Sequence, residues 1–320
     1  LKKIPEGEQI VTVCALPLYH IFAFNANMLL ALHMGGCNIL IPNARDIPAL
    51  LKALSTERFH SFPAVNTLFN AIANHPDFST VNWGSLKISV GGGMAVQSGT
   101  AQLWLEKTGC PIVEAYGLSE TSPAATCNPV DATAWTGSIG LPMPNTDITL
   151  LDDEVRPVPP GEPGEICIRG PQVMAGYWQR PDETAKVMTA DGYFKSGDIG
   201  FMDERGYFKI IDRKKDMVVS GGVNIYPAEA EQVLTRHPAV LDVACIGIPH
   251  AEMGEELKAL VIPRDPANPP DAAEILAFCR ERLSHYKCPR TVDFVDDLGR
   301  NTMGKINKRK LRAPYWEKDR

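Results

Sequence analysis

Apolar and polar positions follow a repeating rhythm from the start of the chain to about Thr121. Ile10 to Ala15 is a short β-branched and apolar run, the pattern of a strand buried on both faces, and it leads into Pro17 and the aromatic-rich segment Tyr19 to Phe24. The spacing then predicts a helix as far as Met34, closed by Gly35-Gly36, a strand over Asn38 to Ile41 and an amphipathic helix over Ile47 to Leu54. The rhythm continues through a helix around Asn66 to Asn74 and a strand over Leu86 to Val90 that runs into a triple glycine. A helix over Val96 to Thr108 and a strand over Ile112 to Ala115 complete it. Strands alternating with helices in this way predict an α/β fold built on a parallel sheet.

Past Thr121 the pattern changes to short alternating strands separated by Pro and Gly, as in Ile148 to Leu151, Gly164 to Arg169 and Tyr207 to Ile211. That predicts a small distorted β-barrel or sheet. After the charged turn Arg213-Lys214-Lys215-Asp216 come a glycine pair and a helix over Ala228 to Arg236. Strands over Val243 to Ile248 and Leu257 to Ile262, a helix over Ala272 to Leu283 and a strand over Val292 to Phe294 follow. This stretch reads as a small α+β domain of about a hundred residues. The expected division is 1–214, with a βα part to about 120 and a β-rich part from 121, followed by 215–320.

Composition narrows the function classes. A 320-residue chain with 44% hydrophobic residues has enough apolar surface for two cores. A net charge of −6 argues against a nucleic-acid binder, which needs a basic face to neutralise phosphates. The eight cysteines form no CxxC pair and no Cys/His cluster at metal-ligand spacing, so they read as small buried hydrophobes in a reducing compartment. The longest apolar run, Met28 to Leu32, is far short of the roughly 20 residues that span a bilayer. The chain starts at Leu1, without the pattern of a signal peptide, and reads as a cut through a longer protein.

Four constellations carry candidate chemistry. Glu114-Ala-Tyr-Gly-Leu-Ser-Glu-Thr121 leaves a strand with a tyrosine that can stack on a purine, a glycine that admits a ligand to the backbone, and a carboxylate beside a hydroxyl suited to Mg²⁺ and phosphate. The plain alternative is a strand exit with a capping hydroxyl. In Tyr193-Phe-Lys-Ser-Gly-Asp-Ile-Gly200, Asp198 follows a glycine and can accept both hydroxyls of a ribose, or can merely close an Asx turn. In Ile210-Ile-Asp-Arg-Lys-Lys-Asp-Met217, the donor fork of Arg213 can reach ribose or phosphate, or the run can be a solvated turn. In Asn301-Thr-Met-Gly-Lys-Ile-Asn-Lys-Arg-Lys-Leu311, Lys305 follows a glycine and can neutralise charge between a carboxylate and an α-phosphate. A solvated basic tail is the alternative, and the Gly-Lys pair is no P-loop because Ile306 follows it.

The joint order of these four with Leu16-Pro-Leu-Tyr-His20, Gly91-Gly-Gly-Met94 and Ser220-Gly-Gly-Val-Asn-Ile-Tyr-Pro227 resembles the adenylate-forming acyl/aryl-CoA synthetase superfamily over essentially the whole chain. Asp191 to Lys215 and Val65-Asn-Thr-Leu-Phe-Asn-Ala71 are similar to bacterial long-chain fatty-acid CoA ligases. The resemblance implies that Gly92, Gly93, Met94, Tyr116 and Gly117 frame the adenine, with Glu120 on Mg²⁺, Thr121 at the phosphate, and Asp198 and Arg213 on the ribose. It implies Lys305 as the lysine of adenylation, Lys215 as an interdomain hinge, and His20 beside the acyl carboxylate. Phe24 and Val65 would line the acyl pocket, and Gly221 and Gly222 the coenzyme A channel.

The implied fold is part of a large adenylation domain followed by a mobile lid, and the implied reactants are ATP, coenzyme A and a medium- or long-chain fatty acid. Aryl- or dicarboxylate-CoA ligase and acyl-AMP ligase are neighbouring readings. A chain that binds nucleotide, coenzyme A or a partner without turnover is a reading of another class, because the family's phosphate-gripping Gly/Ser/Thr loop is absent from the sequence. The long-chain pattern is also altered: Asp191, Tyr193 and Phe194 stand for Asn, Trp and Leu, and Lys195 and Ser196 for a His-Thr pair. A cytoplasmic location is expected, compatible with peripheral contact at the inner membrane face and with a homodimer.

Overall fold

The first strand lies where its apolar run placed it: Val11–Cys14 (β1) is largely buried and pairs in parallel with Cys37–Leu40 (β2) and with Ser61–Ala64 (β3). The computed structural model describes residues 7–300 and 306–316. Ile88–Gly91 (β4) and Ile112–Gly117 (β5) continue the parallel ladder. Ala124–Cys127 (β6) and Leu141–Pro142 (β7) add antiparallel strands, giving the order β2-β1-β3-β4-β5-β6-β7. Because β1 to β5 run the same way, their carboxyl ends share one edge of the sheet, where open α/β sheets place ligands.

The sequence pattern missed β3. A proline with no N–H to donate argues against a central strand, yet Pro63 sits opposite Val90 in a fully buried strand between β1 and β4. The segment expected as one helix to Met34 is also interrupted. Ile21–Ala23 and Leu30–Met34 are α-helical, but Phe24–Leu29 is a π-helix in which buried Asn27 donates to the Val13 carbonyl at 3.0 Å. Gly35 ends the segment in the left-handed region, as its position predicts.

The helices Ile47–Leu54, Asn66–Ala73 and Ser98–Thr108 cover this sheet with their apolar stripes. Phe62, Phe69, Trp83 and Trp104 meet edge to face, with Phe69 and Trp104 centroids 4.8 Å apart. The Trp104 indole N–H donates to the Ser89 hydroxyl at 3.0 Å, so the buried ring leaves no donor unpaired.

The β-rich part is a second sheet that a bridge between Gly140 and Phe208 ties back to the first, in keeping with the small distorted barrel or sheet that the pattern predicts. Asp147–Leu151 (β8) and Gly164–Arg169 (β9) pair antiparallel, and Phe194–Met202 (β10) and Phe208–Arg213 (β11) complete the order β11-β10-β9-β8. Ala125, Leu150, Ile166, Ile168 and Phe208 form its core.

The described chain divides into two compact units. One runs to Ser196 and takes in Phe201–Lys209; the other consists of Gly197–Gly200 and the chain from Ile210 onward. The second unit holds Val218–Ser220 (β12), Val223–Ile225 (β13), Val240–His250 (β14), Gly254–Pro263 (β15) and Thr291–Phe294 (β16). Its sheet has the order β13-β12-β15-β14, with β16 parallel to β15. Along β14, Val243 and Cys245 face the helices Pro227–Leu234 and Ala272–Arg280, while Ala244 and Ile246 face the opposite way. A strand with both faces apolar needs both covered. The second cover is the helix Lys308–Trp316, which the sequence alone leaves as a basic tail; it brings Leu311 and Tyr315 onto Ala244 and Ile246. No helix among the described residues is long and apolar enough to cross a membrane.

Candidate active site

Four loops of the first unit leave the carboxyl edge of the parallel sheet and carry most of the candidate residues. His20, beyond β1, caps the short helix that follows: its Nδ1 accepts from the Phe22 N–H at 3.2 Å. Phe22 then lies against the glycine turn after β4. A Cβ on Gly92 would sit 3.1 Å from the Phe22 ring and 3.3 Å from the Ala115 carbonyl, so the turn can pass only as glycine without displacing that ring. Gly93 is exposed at φ 77, and a Cβ there would lie 3.7 Å from Cγ1 of Val65, the residue leaving β3. Asn66 ties the same two exits together by accepting from the Gln97 N–H at 2.9 Å. Phe24 lies on the π-helical turn with its ring partly exposed. Met94 is half-buried beside the glycines.

Beneath this turn, on β5, Glu114 is buried opposite Gly91. One carboxylate oxygen accepts from the Val96 N–H at 3.3 Å, and the other has no partner. Burial pushes this carboxyl up to about 7, against the opposing hydrogen bond from Val96.

The exit of β5 is tightly built. Tyr116 pairs with Thr126 and packs on the Ala125–Leu150 core, with a register shift between Tyr116 and Gly117. A side chain on Gly117 would collide with the Pro123 carbonyl, which accounts for the glycine. The short helical turn Ser119–Thr121 follows. Here one expectation requires correction. Thr121 does not face outward to a phosphate: it is fully buried, its Oγ1 accepts from the Leu118 N–H at 2.9 Å and donates to the Pro123 carbonyl at 2.6 Å. Its hydroxyl closes the turn, as the capping alternative holds. Ser119 is the exposed hydroxyl of the turn, and the sequence offers it in the position next to Glu120.

Glu120 accepts a hydrogen bond from the Tyr177 phenol at 2.9 Å. Burial raises the phenol's pKa, and the bond to Glu120 and the nearby charges of Glu120 and Glu183 add to it. Sequence reasoning missed Tyr177, which lies 57 positions from its partner; its place just after Gly176 and before the Pro181–Val187 helix was the available signal. Among the described residues no group of three or more His, Cys, Asp or Glu could hold a metal ion. A single, partly exposed carboxylate fits Mg²⁺ that arrives on a nucleotide's phosphates, since this ion keeps most of its ligands from water and substrate.

In the second unit, Asp198 is buried within β10 rather than at a turn, and the Arg213 Nε lies 3.3 Å from its Oδ1, so the two ribose candidates are neighbours. Lys215 is exposed on the short turn Lys214–Asp216, and its carbonyl is 3.5 Å from the Arg312 guanidinium. Gly221 and Gly222, at φ 58 and 81, make the two-residue turn between β12 and β13. That turn explains both glycines, and a Cβ on Gly221 would also collide with Met253. Lys305 lies outside the described residues.

Residues 2–178 match the AMP-binding enzyme family, and residues 229–305 match the AMP-binding enzyme C-terminal domain. A long-chain-fatty-acid–CoA ligase of Escherichia coli O6:H1 is 47% identical over 306 residues, 96% of this chain and 54% of that protein. A feruloyl-CoA synthase of Amycolatopsis is 41% identical over 302 residues, covering 94% of this chain and 61% of that protein. Among solved structures, ATP-bound MatB from Rhodopseudomonas palustris superposes with a TM-score of 0.89 at 34% identity, over 98% of this chain and 61% of that one. The chain spans about half the length of the curated ligases it matches. With one family match covering more than half of its residues, the chain belongs to the AMP-binding enzyme family.

Proposed function

We propose that this chain works in an ATP-dependent fatty-acid CoA ligase, which joins a medium- or long-chain acid to AMP and passes the acyl group to coenzyme A with release of AMP. The observation that carries the reading is the meeting of the glycine turn, Phe22 and Val65 at the sheet edge from which His20 and the Tyr116–Glu120 turn also emerge. The ligase names of its relatives support the same chemistry.

A carboxylate attacking an α-phosphate meets repulsion between two anions, so positioning and charge neutralisation are what the protein supplies. We assign the adenine to Gly92–Met94 and Tyr116, the α-phosphate to Ser119 in place of Thr121, and the ribose to Asp198 and Arg213. Mg²⁺ bound with the nucleotide would neutralise phosphate charge, and Glu120 is the residue that would hold it. His20 orients the acyl carboxylate, Phe24 and Val65 border the acyl chain, and Lys305 offsets the developing charge. We place residues 215–320 as a mobile lid turning at Lys215, with Gly221 and Gly222 toward coenzyme A in the second half-reaction. A cytoplasmic location, with peripheral contact where fatty acids leave the membrane, belongs to the same proposal.

A second reading, activation of an aryl acid, draws on the 41% identity to a feruloyl-CoA synthase. Acid-dependent exchange of pyrophosphate into ATP, measured on the full-length protein over acids from acetate to oleate and including ferulate, separates the two. Preference for medium or long chains is the expected result; preference for ferulate or for short acids rejects the fatty-acid assignment.

A further inference from the structure

The positions flanking Lys305 are anchored by charge. Before it, the Arg300 guanidinium makes a forked pair with Asp242 on β14, with contacts of 2.7 to 2.9 Å. After it, Ile306 forms a backbone bridge with Arg300 and packs on the Ala244–Ile246 face. Lys308 opens the last helix and reaches inward, its Nζ 2.8 Å from Oε1 of Glu231 on the Pro227–Leu234 helix. Both side chains of this pair are mostly buried, 13% and 21% exposed. The same Glu231 oxygen accepts from the Cys245 N–H at 2.7 Å, which fixes the carboxylate against β14. Asp212 adds a second negative charge to the group while capping the Glu231 helix through the Ala228 N–H at 2.8 Å. Burial alone pulls the Lys308 ammonium down, but Glu231 and Asp212 outweigh it and hold Lys308 protonated.

A buried ion pair of this kind is weak as a source of stability, since its desolvation cost cancels much of its attraction. Its clearer physical effect is directional, because it allows one placement of the helix start relative to Glu231. Lys308 lies three positions after Lys305, with two residues between them, so a fixed Lys308 limits how far away Lys305 can stand.

We propose that Lys308, through its ion pair with Glu231, is a positioning residue for adenylation that sets the placement of the segment carrying Lys305. The inference rests on the reading of Lys305 as the lysine of that step. It predicts a selective defect: adenylation suffers, whereas transfer of an acyl group from preformed adenylate to coenzyme A, which does not use Lys305, is spared.

The test compares variants of the full-length protein in the two half-reactions. Lys308→Met/Glu231→Gln removes both charges of the pair and keeps an acceptor for the Cys245 N–H, leaving Asp212 on the backbone N–H groups of Arg213 and Ala228, and the thermal midpoint checks that the variant is folded. Its adenylation kcat is expected to fall about 10- to 100-fold, the scale of a misplacement near 1 Å, with KM for ATP and acid unchanged. Thioester formation from supplied acyl-adenylate stays at the parent rate, and Lys308→Arg restores adenylation. Arg300→Met is the second variant, because loss of a partly exposed pair costs little stability, and it is expected to slow the same half-reaction. Normal adenylation in both folded variants, or equal loss of both half-reactions, overturns the proposal. Lys305→Ala run in parallel separates the causes: if that protein still adenylates, the underlying reading fails, whereas an inactive Lys305→Ala beside normal Lys308 variants rejects this inference alone.

Discussion

The Tyr177 phenol donates to Oε1 of Glu120 at 2.9 Å, linking the loop before the Pro181–Val187 helix to the turn that leaves β5. A carboxylate held on one oxygen presents the other in a fixed direction. Tyr177→Phe removes a hydrogen bond to a charged group, worth about 1.5 kcal/mol or roughly a tenfold change in affinity. The expected result is a rise of that size in the Mg²⁺ concentration giving half-maximal adenylation, with little change in kcat at saturating Mg²⁺. Mn²⁺ titration followed by electron paramagnetic resonance in the presence of ATP provides a readout independent of turnover.

The turn Ser119–Thr121 divides its two hydroxyls between folding and chemistry. Thr121→Val leaves the partly buried Leu118 N–H without its acceptor and is expected to cost about 1–3 kcal/mol of stability, seen as a lower thermal midpoint, while Thr121→Ser stays near the parent. Ser119→Ala is expected to leave the midpoint unchanged and to lower the adenylation rate about 100-fold.

Glu114 makes stability depend on pH. Its folded pKa is raised from 4.5 to about 7, so the folded state binds the proton more tightly than the unfolded chain. The contribution is fully present below pH 4.5 and is lost as pH rises through about 7. The loss amounts to about 3 kcal/mol. Glu114→Gln carries no such titration, so the stability difference between variant and parent is expected to move in the variant's favour by that amount over the same window. Chemical denaturation at pH 4.5 and 7.5 measures it.

Asp198 and Arg213 form the neighbouring pair of the second unit. Asp198→Asn keeps the shape and removes the charged acceptor, so KM for ATP is expected to rise about 10- to 100-fold with KM for the acid unchanged. Full adenylation kinetics at varied ATP check the split.

Much of the fold was legible because the apolar pattern follows element periods: β1, β2, β4 and the helices Ile47–Leu54 and Ser98–Thr108 fall where the spacing predicts. β3 was hidden by Pro63, whose missing donor reads as a break even though the strand is buried. The last helix was hidden because its covering role depends on β14, a partner more than fifty positions away. At the site, Tyr116 and Glu120 stand out in the sequence as residue types that can meet a purine and Mg²⁺, whereas Gly92 is named only through the resemblance to a family. The sequence records that Thr121 carries a hydroxyl but not that it points inward. It also cannot show that Tyr177 meets Glu120 or that Lys308 meets Glu231, because those pairings exist only after the chain has folded.

The central claim is that the glycine turn and the Tyr116–Glu120 turn together receive an acyl-adenylate. Its most direct test is a crystal structure of the full-length protein with a non-hydrolysable acyl-adenylate analogue bearing a fatty chain. The account predicts the purine between Gly92–Met94 and Tyr116, the phosphate mimic at Ser119 and the acyl chain passing Val65. An analogue bound away from these loops, with the Ser119–Thr121 turn unengaged, contradicts it.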